Sequence, residues 1–450
     1  MQQVDVVVIG TGPAGEVAAG HLAEGGLDVI AVERELVGGE CSFYACMPSK
    51  ALLRPAQALA EVARVQGARE AVNGPVDVAA ALSRRDEIVH DWDDATAVPW
   101  LDDVGVRLVR GHARFVGERR VQVGDEQYEA RRAVVVATGS DAKVPPIPGL
   151  REARPWTSRE ATSASAAPES LIVLGGGVVG VEMAQAWASL GSRVTLVHRG
   201  ERLLEREEPF AAADVCRGLE GAGVDVRLAT AVEGVTRNGR VRAQLAGGAT
   251  IEAEEVLAAL GREPRTGDLG LETIGLEAGS WIAVDEHLRD PQRAWLYAIG
   301  DVNRRALLTH MGKLQARVAA DHLLGRAGMG VSDGALSPRV VFTEPQVAAV
   351  GHTQESAQKA GMQVRIAEAP ADGTAGASFH GRNAGGTCRL VIDETRDVIV
   401  GATFTGADVG EWLHAATVAI VGEVPLARLA YCAPVFPTRS EVWLRMLQGY

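Results

Sequence analysis

At 450 residues, 47% of them hydrophobic and with a net charge of -13, the chain is longer than one ordinary core requires, and about three domains are expected. Such an excess of negative charge offers no attraction to phosphate backbones or anionic lipid, which argues against nucleic-acid and membrane partners. No apolar stretch approaches the roughly 18 residues of a bilayer span, and residues 1–5 lack the basic and apolar character of a secretion signal, so a cytoplasmic protein is expected.

Residues 4–9 form a continuous apolar run ending at Gly10, followed by Pro13 and an alanine-rich stretch to about residue 24, which reads as buried strand, tight turn and helix. Residues 29–32 supply the next strand. Residues 106–123 show the short apolar and polar alternation of strands, and 134–139 form another buried strand before the proline cluster at 144–149. Strand, glycine turn and helix return at 171–190, with a following strand at 194–197. Strands alternating with helices imply parallel sheets. After the strand at 256–260 a second boundary falls near 262–266, and from about residue 334 the pattern becomes mixed strand and helix without a glycine-rich turn. The predicted domains are 1–150, 151–265, 266–333 completing the first, and 334–450.

Gly10, Gly12 and Gly15 make G-x-G-x-x-G directly after a strand and at the start of a helix, the context in which the pattern signals a bound dinucleotide. Glu33, at the end of the next strand, is placed to accept hydrogen bonds from a ribose. In the second unit Gly175, Gly177 and Gly180 repeat the spacing, but His198 stands where Glu33 does, followed by Arg199. With no carboxylate for a free 2'-hydroxyl and an arginine able to pair with a 2'-phosphate, NADPH is favoured over NADH, against the acidic Glu201 and Glu205 nearby.

Of five cysteines, Cys41 and Cys46 lie close together in Gly38-Gly39-Glu40-Cys41-Ser42-Phe43-Tyr44-Ala45-Cys46-Met47-Pro48-Ser49-Lys50. Residues five apart in a regular helix have alpha carbons about 8.5 Å apart, beyond disulfide reach, so a bridge here demands a distorted turn. Two inert buried thiols are the alternative.

With these motifs, Ala137-Thr138-Gly139, Gly300-Asp301, Thr309-His310 and Phe342-Thr343-Glu344-Pro345, the sequence resembles the FAD-dependent pyridine nucleotide-disulfide oxidoreductases over nearly its whole length. The resemblance implies an α/β enzyme with two Rossmann-like dinucleotide-binding domains, a C-terminal α+β dimerisation domain, and a homodimer. It implies FAD in the first domain, with Ala113, Thr138, Gly139, Asp301 and Thr309 lining its site, and a nicotinamide nucleotide in the second, with Gly261 beside it. Lys50 would lie near the flavin and pair with Glu182, while Val178 stands where some relatives carry an aromatic gate. Cys41 and Cys46 would form the redox-active disulfide, Cys46 nearer the flavin and Cys41 open to exchange. No metal-ligand set is expected.

Relatives that reduce disulfides end in His-Pro-Thr-x-Ser/Ala-Glu, whose histidine moves the proton and whose glutamate orients it. Here the segment is Phe436-Pro437-Thr438-Arg439-Ser440-Glu441. Phenylalanine moves no proton, so assistance worth about 100-fold to 10,000-fold is missing there. Three readings follow. The small-molecule acceptor is a non-disulfide electrophile such as a quinone or a metal ion; or a sulfur compound is still reduced with Tyr44, Glu441, Cys432 or His414 as proton carrier; or the chain is a flavin-binding regulator with little turnover.

Overall fold

A computed structural model describes residues 1–382 and 384–448. The chain divides into two compact units, the first made of Met1–Pro48, Arg85–Lys143 and Gly261–Gly334, the second of Ser49–Arg84, Val144–Leu260 and Ala335–Tyr450.

The first unit is built on a seven-stranded sheet with a parallel core. Gln2–Ile9 lies between Val29–Glu33 and Glu126–Val136, parallel to both, and Arg107–Arg110 and Leu296–Ala298 extend the parallel set on either side. The first half of Glu126–Val136 also pairs antiparallel with Arg120–Val123, which continues to Ala113–Gly117. An apolar run without polar alternation is what a strand covered on both faces requires. Val6 and Val8 pack into one core with Ala18, Leu22 and Ala316, while Val7 and Ile9 pack into another with Phe115 and Val136. Successive side chains of one strand thus serve two cores. Helix Pro13–Glu24, with proline at its first position and Gly25 after its last, packs against helix Thr309–Leu323.

The second unit holds a four-stranded parallel sheet, in the order Asp225–Arg227, Arg193–Val197, Ser170–Leu174 and Glu255–Ala258. Helix Val178–Ser189 buries Trp187 beside Trp156, with ring centroids 5.7 Å apart. Strands Val232–Asn238, Arg240–Leu245 and Thr250–Ala253 form a small antiparallel sheet. A five-stranded antiparallel sheet from Arg339–Val341 to Val398–Gly406 follows, covered by helices Leu413–Val421 and Val442–Met446. The two parallel glycine-turn sheets and the C-terminal antiparallel sheet are the architecture expected from the sequence. Among the described residues no helix is long and apolar enough to cross a membrane, and no three His, Cys, Asp or Glu side chains group as a metal site.

Candidate active site

In the first unit the chain leaves strand Gln2–Ile9 at Gly10, whose φ is +97°, and enters helix Pro13–Glu24 through Gly12. A Cβ on Gly10 would lie 2.6 Å from the Ala137 carbonyl oxygen, and one on Gly15 would lie 1.9 Å from the Gly10 oxygen. Both positions therefore accept only hydrogen, which is why backbone and helix can approach so closely. Gly12 differs. Nothing lies within 4 Å of its added Cβ, and no side chain caps the helix, so the first amides of the helix face open space.

Glu33 accepts from the backbone and the hydroxyl of Thr11, both at 2.8 Å, and through its other oxygen from the Glu35 amide, also at 2.8 Å. Its carboxylate is thus oriented beside the glycine turn. Thr138 adds a buried hydroxyl without a hydrogen-bond partner, followed by Gly139 at φ +75°. Asp301 accepts from Ser140 at 2.6 Å with Arg262 3.6 Å away, and Ala113 is buried at the start of its strand. An open helix N-terminus, an oriented carboxylate and an orphaned buried hydroxyl fit a dinucleotide, the diphosphate taking the amide end.

Glu16, in the first turn of that helix, is pushed up to about 7 by burial, against the pull of Lys313 and with help from the Glu33 carboxylate. Because the folded value lies above the ordinary 4.5, this group's contribution to stability is full below about pH 4.5 and lost as pH rises through 7. Glu16→Gln is therefore expected to remove a pH-dependent loss of about 3 kcal/mol. Urea unfolding of both forms between pH 4 and 8 checks it, and parallel curves would refute it.

The cysteine segment lies against this cradle: Gly38 donates its amide to the Thr11 carbonyl at 2.8 Å, and a Cβ on Gly39 would meet the Gly12 Cα at 2.9 Å. Gly38, left-handed at φ 107°, starts a single helical turn over Gly39–Phe43. At Tyr44 (φ -136°, ψ 2°) that turn stops, and a new helix begins at Cys46. The five-residue interval is thus not one regular helix. The pair is present as two thiols and not as the expected disulfide, and the Thr309 hydroxyl donates to the Cys41 sulfur at 3.1 Å and lies 3.4 Å from the Cys46 sulfur. Hydrogen bonding to Cys46 and burial push the Cys41 thiol up, while Thr309 and Lys313 pull it down. Arg265 ties Glu40, next to Cys41, at 2.7 Å.

In the second unit Lys50 Nζ lies 2.7 Å from the Glu182 carboxylate, which is 3% exposed and also accepts the Phe342 amide at 2.9 Å. The ammonium sits over the Phe342 ring, 4.7 Å from its centroid. The second glycine turn repeats the first: a Cβ on Gly180 would meet the Gly175 oxygen at 1.9 Å, and that on Gly177 nothing within 4 Å. His198 Nδ1 accepts the Gly176 amide at 3.2 Å, so the ring braces the turn from the place Glu33 occupies in the first unit. Arg199 is exposed, as is Val178 at the head of helix Val178–Ser189. Gly261 belongs to the first unit and has φ +119°.

At the C-terminal segment Phe436 is 72% exposed, and the Glu441 carboxylate accepts the Gly376 amide at 3.2 Å. Glu441 thus anchors backbone of its own unit. Of the other suggested proton carriers, His414 and Cys432 are exposed on the C-terminal part of the second unit, and Tyr44 belongs to the first. Sequence reasoning missed the hydroxyl contact of Thr309 with both sulfurs. Its only trace was Thr309 heading a helix with Lys313 one turn on.

Residues 4–321 match the family model described as pyridine nucleotide-disulphide oxidoreductase, and residues 337–447 match the dimerisation domain of the same family. The chain belongs to the pyridine nucleotide-disulphide oxidoreductases. It is therefore an FAD-dependent enzyme that uses a pyridine nucleotide. A dihydrolipoyl dehydrogenase of Thermus scotoductus is 34% identical, aligned over 98% of this chain and 96% of its own. A mercuric reductase of Bacillus cereus is 31% identical over 92% of this chain and 66% of that one. The HOCl-induced flavoprotein disulfide reductase RclA of Escherichia coli superposes with a TM-score of 0.87 at 26% identity, covering 98% of this oxidoreductase and 99% of that chain.

Proposed function

We propose that this oxidoreductase passes two electrons from NADPH, or NADH, through FAD and the Cys41/Cys46 pair to a small non-disulfide electrophile. The observation that carries the reading is the C-terminal segment, where an intact frame presents the exposed ring of Phe436 in place of a proton-moving side chain and Glu441 is engaged by the Gly376 amide. Acceptors that need no proton delivered to a leaving thiol suit such a site: a quinone, or a metal ion. The solved Cu(II) complex of RclA, 26% identical with a TM-score of 0.87, supports including a metal ion among them.

FAD, when bound, supplies the two-electron chemistry that links a nicotinamide to a disulfide. The glycine turn at Gly10, Gly12 and Gly15 would hold its diphosphate, Glu33 a ribose, and Thr138, Gly139, Asp301, Ala113 and Thr309 its remaining surface. Lys50, fixed by Glu182, would set a positive charge beside the ring system. Gly175, Gly177, Gly180 and Gly261 would border the nicotinamide nucleotide, with His198 bracing the turn and the exposed Arg199 free to meet a 2'-phosphate. Cys46 would face the flavin and Cys41 the acceptor. We propose a homodimer in which the C-terminal segment serves the partner's cysteine pair.

Anaerobic titration of the flavin-loaded protein with NADPH and with NADH tests the relay. A thiolate-to-flavin charge-transfer band at two-electron reduction, with NADPH the more effective donor, is expected. A fully bleached flavin with Cys46 still oxidised would remove the cysteines from the path. Phe436→His is expected to raise turnover with small disulfides by about 100-fold or more while flavin content stays constant. Unchanged disulfide turnover in that variant would show that the proton carrier is not what limits this acceptor class.

A further inference from the structure

Two thiols that share a redox role must be ionised at different times. One must be a thiolate when it faces the flavin, the other when it meets the acceptor, since the thiolate is the reacting form. Where a histidine follows in related chains, that group takes up and returns the proton; here Phe436 does neither. The first unit nevertheless contains a group in contact with both sulfurs. Thr309 heads a helix of 15 residues, and its hydroxyl oxygen is 3.1 Å from Cys41 Sγ and 3.4 Å from Cys46 Sγ. A hydroxyl has one hydrogen to donate and lone pairs to accept, so it can satisfy one thiolate and one thiol together.

We propose that Thr309 is the proton bridge of the cysteine pair, donating to whichever sulfur is ionised and accepting from the other. With Cys41 ionised, the hydroxyl hydrogen points to Cys41 and the Cys46 S–H points to the hydroxyl oxygen. Moving the hydroxyl hydrogen onto Cys41 and the Cys46 hydrogen onto the oxygen leaves Cys46 ionised and Thr309 neutral. One proton has passed between sulfurs, no electron has moved, and no outside acid or base has taken part. The helix N-terminus beneath Thr309 favours negative charge at either sulfur. Lys313, one turn along that helix, does the same for Cys41. Other titratable groups on these elements include Tyr44 between the two cysteines, His310 beside Thr309, Glu40 held by Arg265, and Lys50 one turn along the helix from Cys46. Thr309 is thus a positioning and proton-transfer residue of the same pair, and the inference rests on reading Cys41 and Cys46 as the redox centre.

The test is the pH dependence of iodoacetamide alkylation at Cys41 and Cys46 in the thiol-reduced, flavin-loaded enzyme, resolved by peptide mass spectrometry, for wild type, Thr309→Val and Thr309→Ser. Valine keeps the shape and removes the hydroxyl. It is expected to raise the midpoint of the first-ionising cysteine by about one pH unit, a tenfold drop in thiolate at a given pH below both midpoints, and serine is expected to restore it. The charge-transfer band should follow the same shift. An unchanged midpoint in the valine variant, or a serine variant that behaves like valine, would overturn the proposal. If valine prevents flavin loading, Thr309→Ala replaces it under the same criteria. Absence of any charge-transfer band in wild type would instead sink the redox-pair reading, while the alkylation midpoints would still report on the hydroxyl.

Discussion

Gly12→Ala is expected to give a folded, stable protein that purifies with at least about tenfold less flavin, whereas Gly15→Ala loses both flavin and stability. The distinction is geometric. At Gly12 the backbone has φ -64°, which alanine adopts freely, and the added carbon meets no protein atom within 4 Å. It projects into the space proposed for the diphosphate, so its cost falls on the cofactor alone. At Gly15 the added carbon would stand 1.9 Å from the Gly10 carbonyl oxygen, and the helix must move off the strand. Overpacking of this kind costs about 1–3 kcal/mol in stability. Flavin absorbance per protein and urea unfolding of the two variants measure the pair of effects. Normal flavin content in Gly12→Ala would place the diphosphate elsewhere.

The second large effect is at the ion pair between the buried Glu182 and the partly exposed Lys50. Lys50→Met is expected to destabilise the protein by about 3 kcal/mol, because Glu182 is left inside with the Phe342 amide as its remaining donor. The methionine still covers the Phe342 ring, so the loss is of charge more than of packing. Adding Glu182→Leu should then recover most of that stability, since the penalty belongs to the unpaired carboxylate. The double variant is expected to remain impaired in nicotinamide-driven flavin reduction, because the fixed positive charge is gone. A denaturant double-mutant cycle reads the first claim and stopped-flow reduction the second. Additive stabilities across the cycle would mean that Lys50 and Glu182 are not coupled.

Much of the site was legible because local chemistry restricts it. A strand that runs apolar into G-x-G-x-x-G can bury both faces and turn tightly only in one way, so the two glycine turns at Gly10 and Gly175 and the place of Glu33 at the end of the next strand were readable as local structure. The cysteine turn was anticipated for a similar reason: helical geometry forbids a bridge at that spacing, and the break at Tyr44 lies between the two sulfurs. Glu182 was found only through family resemblance. Nothing in its neighbours in sequence announces that its carboxylate accepts from Phe342, 160 residues away.

The sequence by itself determined the parallel sheets and the two glycine turns, because these follow from residue type and short-range spacing, whereas the readings of the cysteine segment and of Phe436 in place of a histidine came from resemblance to the family. Only the tertiary structure decided that Thr309 meets both sulfurs, that Glu441 anchors the Gly376 amide, and that burial lifts the Glu16 carboxyl. These depend on where distant segments pack, and hydrogen bonds and desolvation act over a few ångströms of space whatever the separation along the chain.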